Sequence, residues 1–141
     1  MAPSASMNTS STRSVTLDVD RFEALAALQE EGQPDVLAEM VGLFVDETVG
    51  WLIEARNAVD SGDVLALGRV AHSLKGACAT LGAEQMRGQA AGLEEALIAG
   101  RLSEAPSFVE ALTEEFRRLR TQLVPYAPDV RDEHRIDSFK R

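Results

Sequence analysis

Between residues 18 and 124 the apolar positions recur every three or four residues. This is the rhythm of helices that each turn one stripe toward a common core. No run alternates as a strand would. Five segments stand out. A short helix is expected over residues 18–30, with Asp18 placed to cap it and Phe22, Leu25 and Leu28 as its apolar contacts. Gly32 breaks that run. A long helix follows from near Pro34, a residue favoured in a first turn, along Leu37, Val41, Phe44, Thr48, Trp51, Ala55 and Ala58. The sequence Asp60-Ser61-Gly62-Asp63 ends it and caps the next helix.

The third segment, residues 64–81, carries the stripe Val64, Leu67, Ala71, Leu74, Cys78, Leu81, and Gly82 follows where a left-handed residue suits a helix end. The fourth, residues 84–99, carries Met86, Ala90, Leu93 and Leu97 and stops at Gly100. The last, residues 104–123, carries Val109, Leu112, Phe116, Leu119 and Leu123. Ser103 offers it a cap, Pro106 is tolerable in its first turn, and Pro125 closes it. Loops of a few residues make successive helices antiparallel neighbours. The expected fold is all-α: an antiparallel up-down-up-down four-helix bundle with a short extra N-terminal helix. Residues 17–125 are expected to form it, between a disordered Ser/Thr-rich leader over residues 1–16 and a flexible charged tail over residues 126–141. Met7 is a candidate alternative start.

Composition narrows the function. At a net charge of −9, attraction to nucleic acid or to an anionic membrane is disfavoured. No apolar run reaches the roughly 20 residues of a membrane span. Cys78 is the lone cysteine, so no internal disulfide can form, and a free thiol fits a reducing cytoplasm. There is no phosphate-binding GxxxxGK[ST] loop, no GxGxxG, no HExxH and no GxSxG, so the chain is not expected to be a kinase in its own right.

One residue breaks the bland pattern. His72 lies one position, or 100°, off the seam of Ala71 and Leu74, so it should be exposed. Its same-face neighbours are Gly68, Arg69, Lys75 and Gly76. A glycine inside a helix costs about 1 kcal/mol relative to alanine. Two of them, four residues either side of one histidine, give up stability and leave the imidazole uncovered. Neutral imidazole is nucleophilic at a ring nitrogen. A phosphoryl group would bring about two negative charges, which Lys75 could neutralise. The bland alternative is a surface histidine that happens to lie between glycines.

The run His72-Ser73-Leu74-Lys75-Gly76-Ala77, with Gly82 six residues beyond Gly76, resembles the signature of histidine-containing phosphotransfer (HPt) domains. These are phosphorelay intermediates of two-component signalling. Asp35, Leu37, Met40 and Phe44 resemble the family's long helix before the site, and Leu93-Glu94 its following helix. The resemblance implies that His72 accepts a phosphoryl group from a receiver-domain phospho-aspartate and passes it to another receiver. It implies Lys75 as the charge-neutralising residue, and Gly68, Arg69, Gly76 and Ala79 as a docking surface. Response-regulator receiver domains and a hybrid histidine kinase are the implied partners. Such a chain is a carrier and not an enzyme in its own right, with no cofactor, and with Mg²⁺ held only by the receiver. A cytoplasmic monomer is expected. A pseudo-HPt adaptor, binding a receiver without transfer, is the alternative. An enzyme with its own active site ranks lower, because the pattern brings no second catalytic group beside His72.

Other residues take structural readings. Cys78 sits on the core seam and faces away from His72, so it is expected buried and inert. Trp51 is expected in the core. His134, within Asp132-Glu133-His134, lacks the further ligands of a metal site. Gly88 and Gly92 mark either close helix packing or an uncovered patch.

Overall fold

The fold follows from where helices can begin and end. Asp18, Asp35 and Asp63 each turn a carboxylate back onto the backbone N–H three residues on, at 3.2, 3.0 and 3.1 Å. Such a cap contributes about 1 kcal/mol and fixes where the helix starts. At the other ends, Gly62 and Gly82 adopt left-handed φ of 71° and 89°, a conformation that costs glycine nothing. Each therefore allows the chain to reverse within two residues. A computed structural model describes residues 16–32 and 35–127. It contains α1 (Val19–Ala27), α2 (Val36–Ser61), α3 (Val64–Leu81), α4 (Glu84–Ile98), a 3-10 turn (Leu102–Glu104) and α5 (Ala105–Leu123).

The four long helices close a ring: α2 packs on α3, α3 on α4, α4 on α5, and α5 back on α2. With short connections this is an antiparallel four-helix bundle, as the apolar period predicts. Its core is a continuous cluster in which Leu52, Leu67, Leu74, Leu81, Met86, Leu93, Leu112, Phe116 and Leu119 are fully buried. The short helix α1 closes the end of the bundle where α3 stops. Phe22 is its buried residue. The Asp18 N–H donates to the Gly82 carbonyl at 2.8 Å, and the Arg21 guanidinium donates to the carbonyls of Ala79 and Thr80. Those carbonyls belong to the last turn of α3, where a cation is also favoured by the helix dipole.

Several expectations need correction. The first helix ends at Ala27 and not at residue 30, and Leu25 and Leu28 are exposed, because Phe22 is the residue α1 buries. Helix α2 is capped by Asp35; Pro34 lies outside the described residues. Val64 is exposed, since it is the first residue of α3 at the open end of the bundle. Trp51 is only half-buried and lies against the core's edge. Leu97 is half-buried, while Ala96 takes the core position. Ser103 does not cap α5: residues 102–104 tighten into the 3-10 turn, and α5 starts at Ala105 with Pro106 in its first turn. The packed chain also runs past residue 125. Tyr126 meets Phe22 edge-on at 4.7 Å, its hydroxyl donates to Glu23, and Ala127 is buried. The expected leader up to Val15, with Met7, and the tail from residue 128, with His134, lie outside the described residues. Among the described residues no helix is long and apolar enough to cross a membrane.

Candidate functional site

Helix α3 shows two faces. Ala71, Leu74 and Cys78 point inward and are fully buried. One residue past Ala71, His72 emerges with 74% of its side chain exposed. A Cβ built on Gly68 or on Gly76 would meet nothing within 4 Å. The bundle itself therefore has no steric need for glycine at either place, and the helix pays about 1 kcal/mol for each.

The neighbouring helix supplies a group that the sequence reading named only within the stretch Leu93-Glu94 and gave no role at the site. Glu94 on α4 sits one residue past buried Leu93, just as His72 sits one past buried Ala71. The two antiparallel helices thus bring these side chains together at the rim. His72 Nδ1 lies 3.1 Å from Glu94 Oε2, and Lys75 Nζ donates to Glu94 Oε1 at 2.6 Å. One carboxylate thereby holds both residues singled out by the sequence. The Lys75 hydrogen bond holds the Glu94 carboxyl below the usual glutamate range, partial burial opposes this, and the His72 contact adds to the lowering. Glu94 is therefore a carboxylate at neutral pH and can only accept hydrogen bonds. In the neutral ring the proton between it and the imidazole then sits on Nδ1, which leaves the lone pair on Nε2. Among the described residues nothing hydrogen-bonds Nε2, and the side chain that carries it is exposed.

Arg69 is exposed, but its guanidinium pairs with Glu54 of α2 at 3.1 Å. Engaging phosphate would require it to leave that partner. Ala79 is exposed two turns beyond His72 on the same face, with its carbonyl held by Arg21. Cys78 is sealed in the core, and burial pushes its thiol up to about 12, so it is no nucleophile. The two glycines of α4 separate: Gly88 is open, whereas a Cβ on Gly92 would come within 2.7 Å of the Phe108 ring.

Beside the histidine lies an open groove of about 560 Å³ between α3 and α4. Val64, Leu65 and Leu97 give it an apolar floor, with Ile98 beside them, and Gly68, Arg69, His72 and Glu94 border it. Leu65 and Ile98 are 79% and 83% exposed. Large apolar side chains grouped in this way beside polar ones are the composition of an interaction or ligand-binding surface. Both residues fall off the apolar stripes of their helices. That off-stripe position was the signal available in the sequence.

Comparison with known proteins agrees with the geometry. A model of the Hpt domain family matches residues 39–122. The chain belongs to the Hpt domain family. Two Hpt proteins of Arabidopsis thaliana, histidine-containing phosphotransfer proteins 2 and 5, are 26% and 25% identical to it over 107 residues. The alignments cover 74% of this chain in both cases, and 69% and 68% of the relatives. The crystal structure of the Hpt protein B from Pseudomonas aeruginosa PAO1 superposes with a TM-score of 0.66 at 31% identity. It covers 76% of this chain and 90% of that one. Membership places this bundle among histidine phosphotransfer domains of phosphorelay signalling, which are phosphoryl carriers that work with receiver domains.

Proposed function

We propose that the chain accepts a phosphoryl group on Nε2 of His72 from the phospho-aspartate of one receiver domain and delivers it to the aspartate of another. The observation that carries this reading is the posture of His72. Its Nδ1 is held by Glu94, its Nε2 is open, and bare backbone lies on both sides. In the accepting step, Nε2 attacks phosphorus as the P–O bond to the aspartate breaks, and the electron pair leaves with the carboxylate. Lys75 is one turn from His72 and can turn its ammonium from Glu94 to the arriving oxygens. The apolar groove with Leu65 and Ile98 seats the receiver, and Gly68 and Gly76 let its active site approach the ring. Any Mg²⁺ the transfer needs belongs, in this reading, to the receiver's aspartate pocket.

The test is transfer itself. Mixed with a phosphorylated receiver, wild type should gain acid-labile phosphate and His72→Gln none. No labelling of wild type by any of its organism's receivers would defeat the proposal, and a receiver bound without transfer would mark an adaptor instead.

A further inference from the structure

The contact between Glu94 and His72 joins a charge to the ring that would carry the phosphate. Its geometry bears on how the group leaves as well as how it arrives. When Nε2 attacks, the ring keeps its Nδ1 proton and becomes a phosphorylated imidazolium. For the group to move on, the P–N bond must break and its electron pair must return to Nε2. If Nδ1 still holds its proton, neutral imidazole departs. If that proton has been lost, an imidazolate must depart, which is a far poorer leaving group. The protonation of Nδ1 therefore decides whether the bond is labile.

We infer that the negative charge of Glu94, beyond its hydrogen bond, keeps the proton on Nδ1 of phosphorylated His72 and so keeps the phosphoryl group transferable. This deepens the carrier reading above and rests on it. The carboxylate Oε2 lies 3.1 Å from Nδ1, close enough for a charge-assisted bond to an imidazolium. Of the charged groups around this face, Glu94 of α4 contacts the ring, Lys75 of α3 is bound to Glu94, and Arg69 of α3 is bound to Glu54 of α2. Arg69 is already paired with Glu54 at 3.1 Å, so Glu94 is the carboxylate that bears directly on the imidazole. Lys75 completes the device. At rest its ammonium shares Glu94, at 2.6 Å from Oε1. Once drawn to the phosphate, it leaves the carboxylate's charge to the ring. The same residue thus starts as a clamp on an empty site and becomes the counter-ion of a loaded one.

Glu94→Gln tests charge against contact, because its amide oxygen can still accept from Nδ1. Wild type, Glu94→Gln and Glu94→Ala would be loaded chemically with phosphoramidate, which requires no receiver. Loss of phosphate would then be followed by ³¹P NMR across a pH series. An opposite charge at this distance should raise the midpoint of the lability profile by about one pH unit. Above both midpoints, Glu94→Gln should then hold its phosphate roughly tenfold longer than wild type, with Glu94→Ala similar to it. Equal midpoints in wild type and Glu94→Gln would overturn the inference, and so would failure of Glu94→Gln to load where wild type loads. A chain that loads with phosphoramidate but never from a phospho-receiver would sink the carrier reading while leaving this comparison readable.

Discussion

Two glycines in adjacent helices look alike in sequence and do opposite things. Gly92 of α4 lies under Phe108, and a methyl group there would collide with the ring at 2.7 Å. Gly76 of α3 faces open space. The first is glycine because the fold needs the room; the second is glycine although the fold does not. The same division separates the two faces of α3, with Ala71 and Leu74 sealed and His72 bare. At Gly76, beside the exposed His72, the cost in stability has no internal contact to offset it.

Substitutions can break that comparison. The largest effect on stability is expected at the packing glycine. Gly92→Leu overfills the α4–α5 contact and should destabilise the bundle by about 1–3 kcal/mol, read as a lower urea midpoint. A stable Gly92→Leu would show that the Phe108 contact is loose. Next, Lys75→Ala should slow phosphoryl transfer by about tenfold, the worth of one charge-assisted hydrogen bond, while its unfolding curve stays close to wild type. Stopped-flow transfer from a phospho-receiver measures the first and urea titration the second.

Gly76→Ala should stabilise the protein by about 0.5–1 kcal/mol, since alanine is the better helix former and meets nothing. The same substitution should weaken receiver binding in a titration. Stabilisation without loss of binding would remove the partner-based reason for this glycine. The smallest effect concerns pH. Glu94 has a lowered carboxyl pKa in the folded chain, so its contribution is present above the unfolded value near 4.5 and is lost as pH falls through the folded one. The stability difference between wild type and Glu94→Gln should therefore shrink on acidification from about pH 6 to pH 3. A difference constant across that range would mean that Glu94 carries no pairing energy in the folded state.

What the sequence made legible was whatever is encoded locally. Asp18, Asp63, Gly62 and Gly82 mark helix ends through bonds to residues three or four away, and each acts as its type predicts. The phase of Ala71 and Leu74 put His72 outside the core, where it is found. Contacts between distant residues were not legible. Glu94 is 22 residues from His72, and helical phase says only that it lies near the rim, not that it faces the ring. Tyr126 reaches Glu23 across 103 residues, so the last turn of the fold was taken for tail. Ser103 was misplaced for another reason: a 3-10 turn and a cap draw on the same residue types, and only the backbone decides between them.

The central claim is that His72 carries the phosphate at Nε2 while Glu94 holds Nδ1. Nitrogen-15 NMR of histidine-labelled protein after phosphorylation by a receiver reads both ring nitrogens at once. Phosphorus coupling to Nε2 and a proton on Nδ1 are the expected result. Phosphate bonded to Nδ1, or found on any residue other than His72, would contradict it.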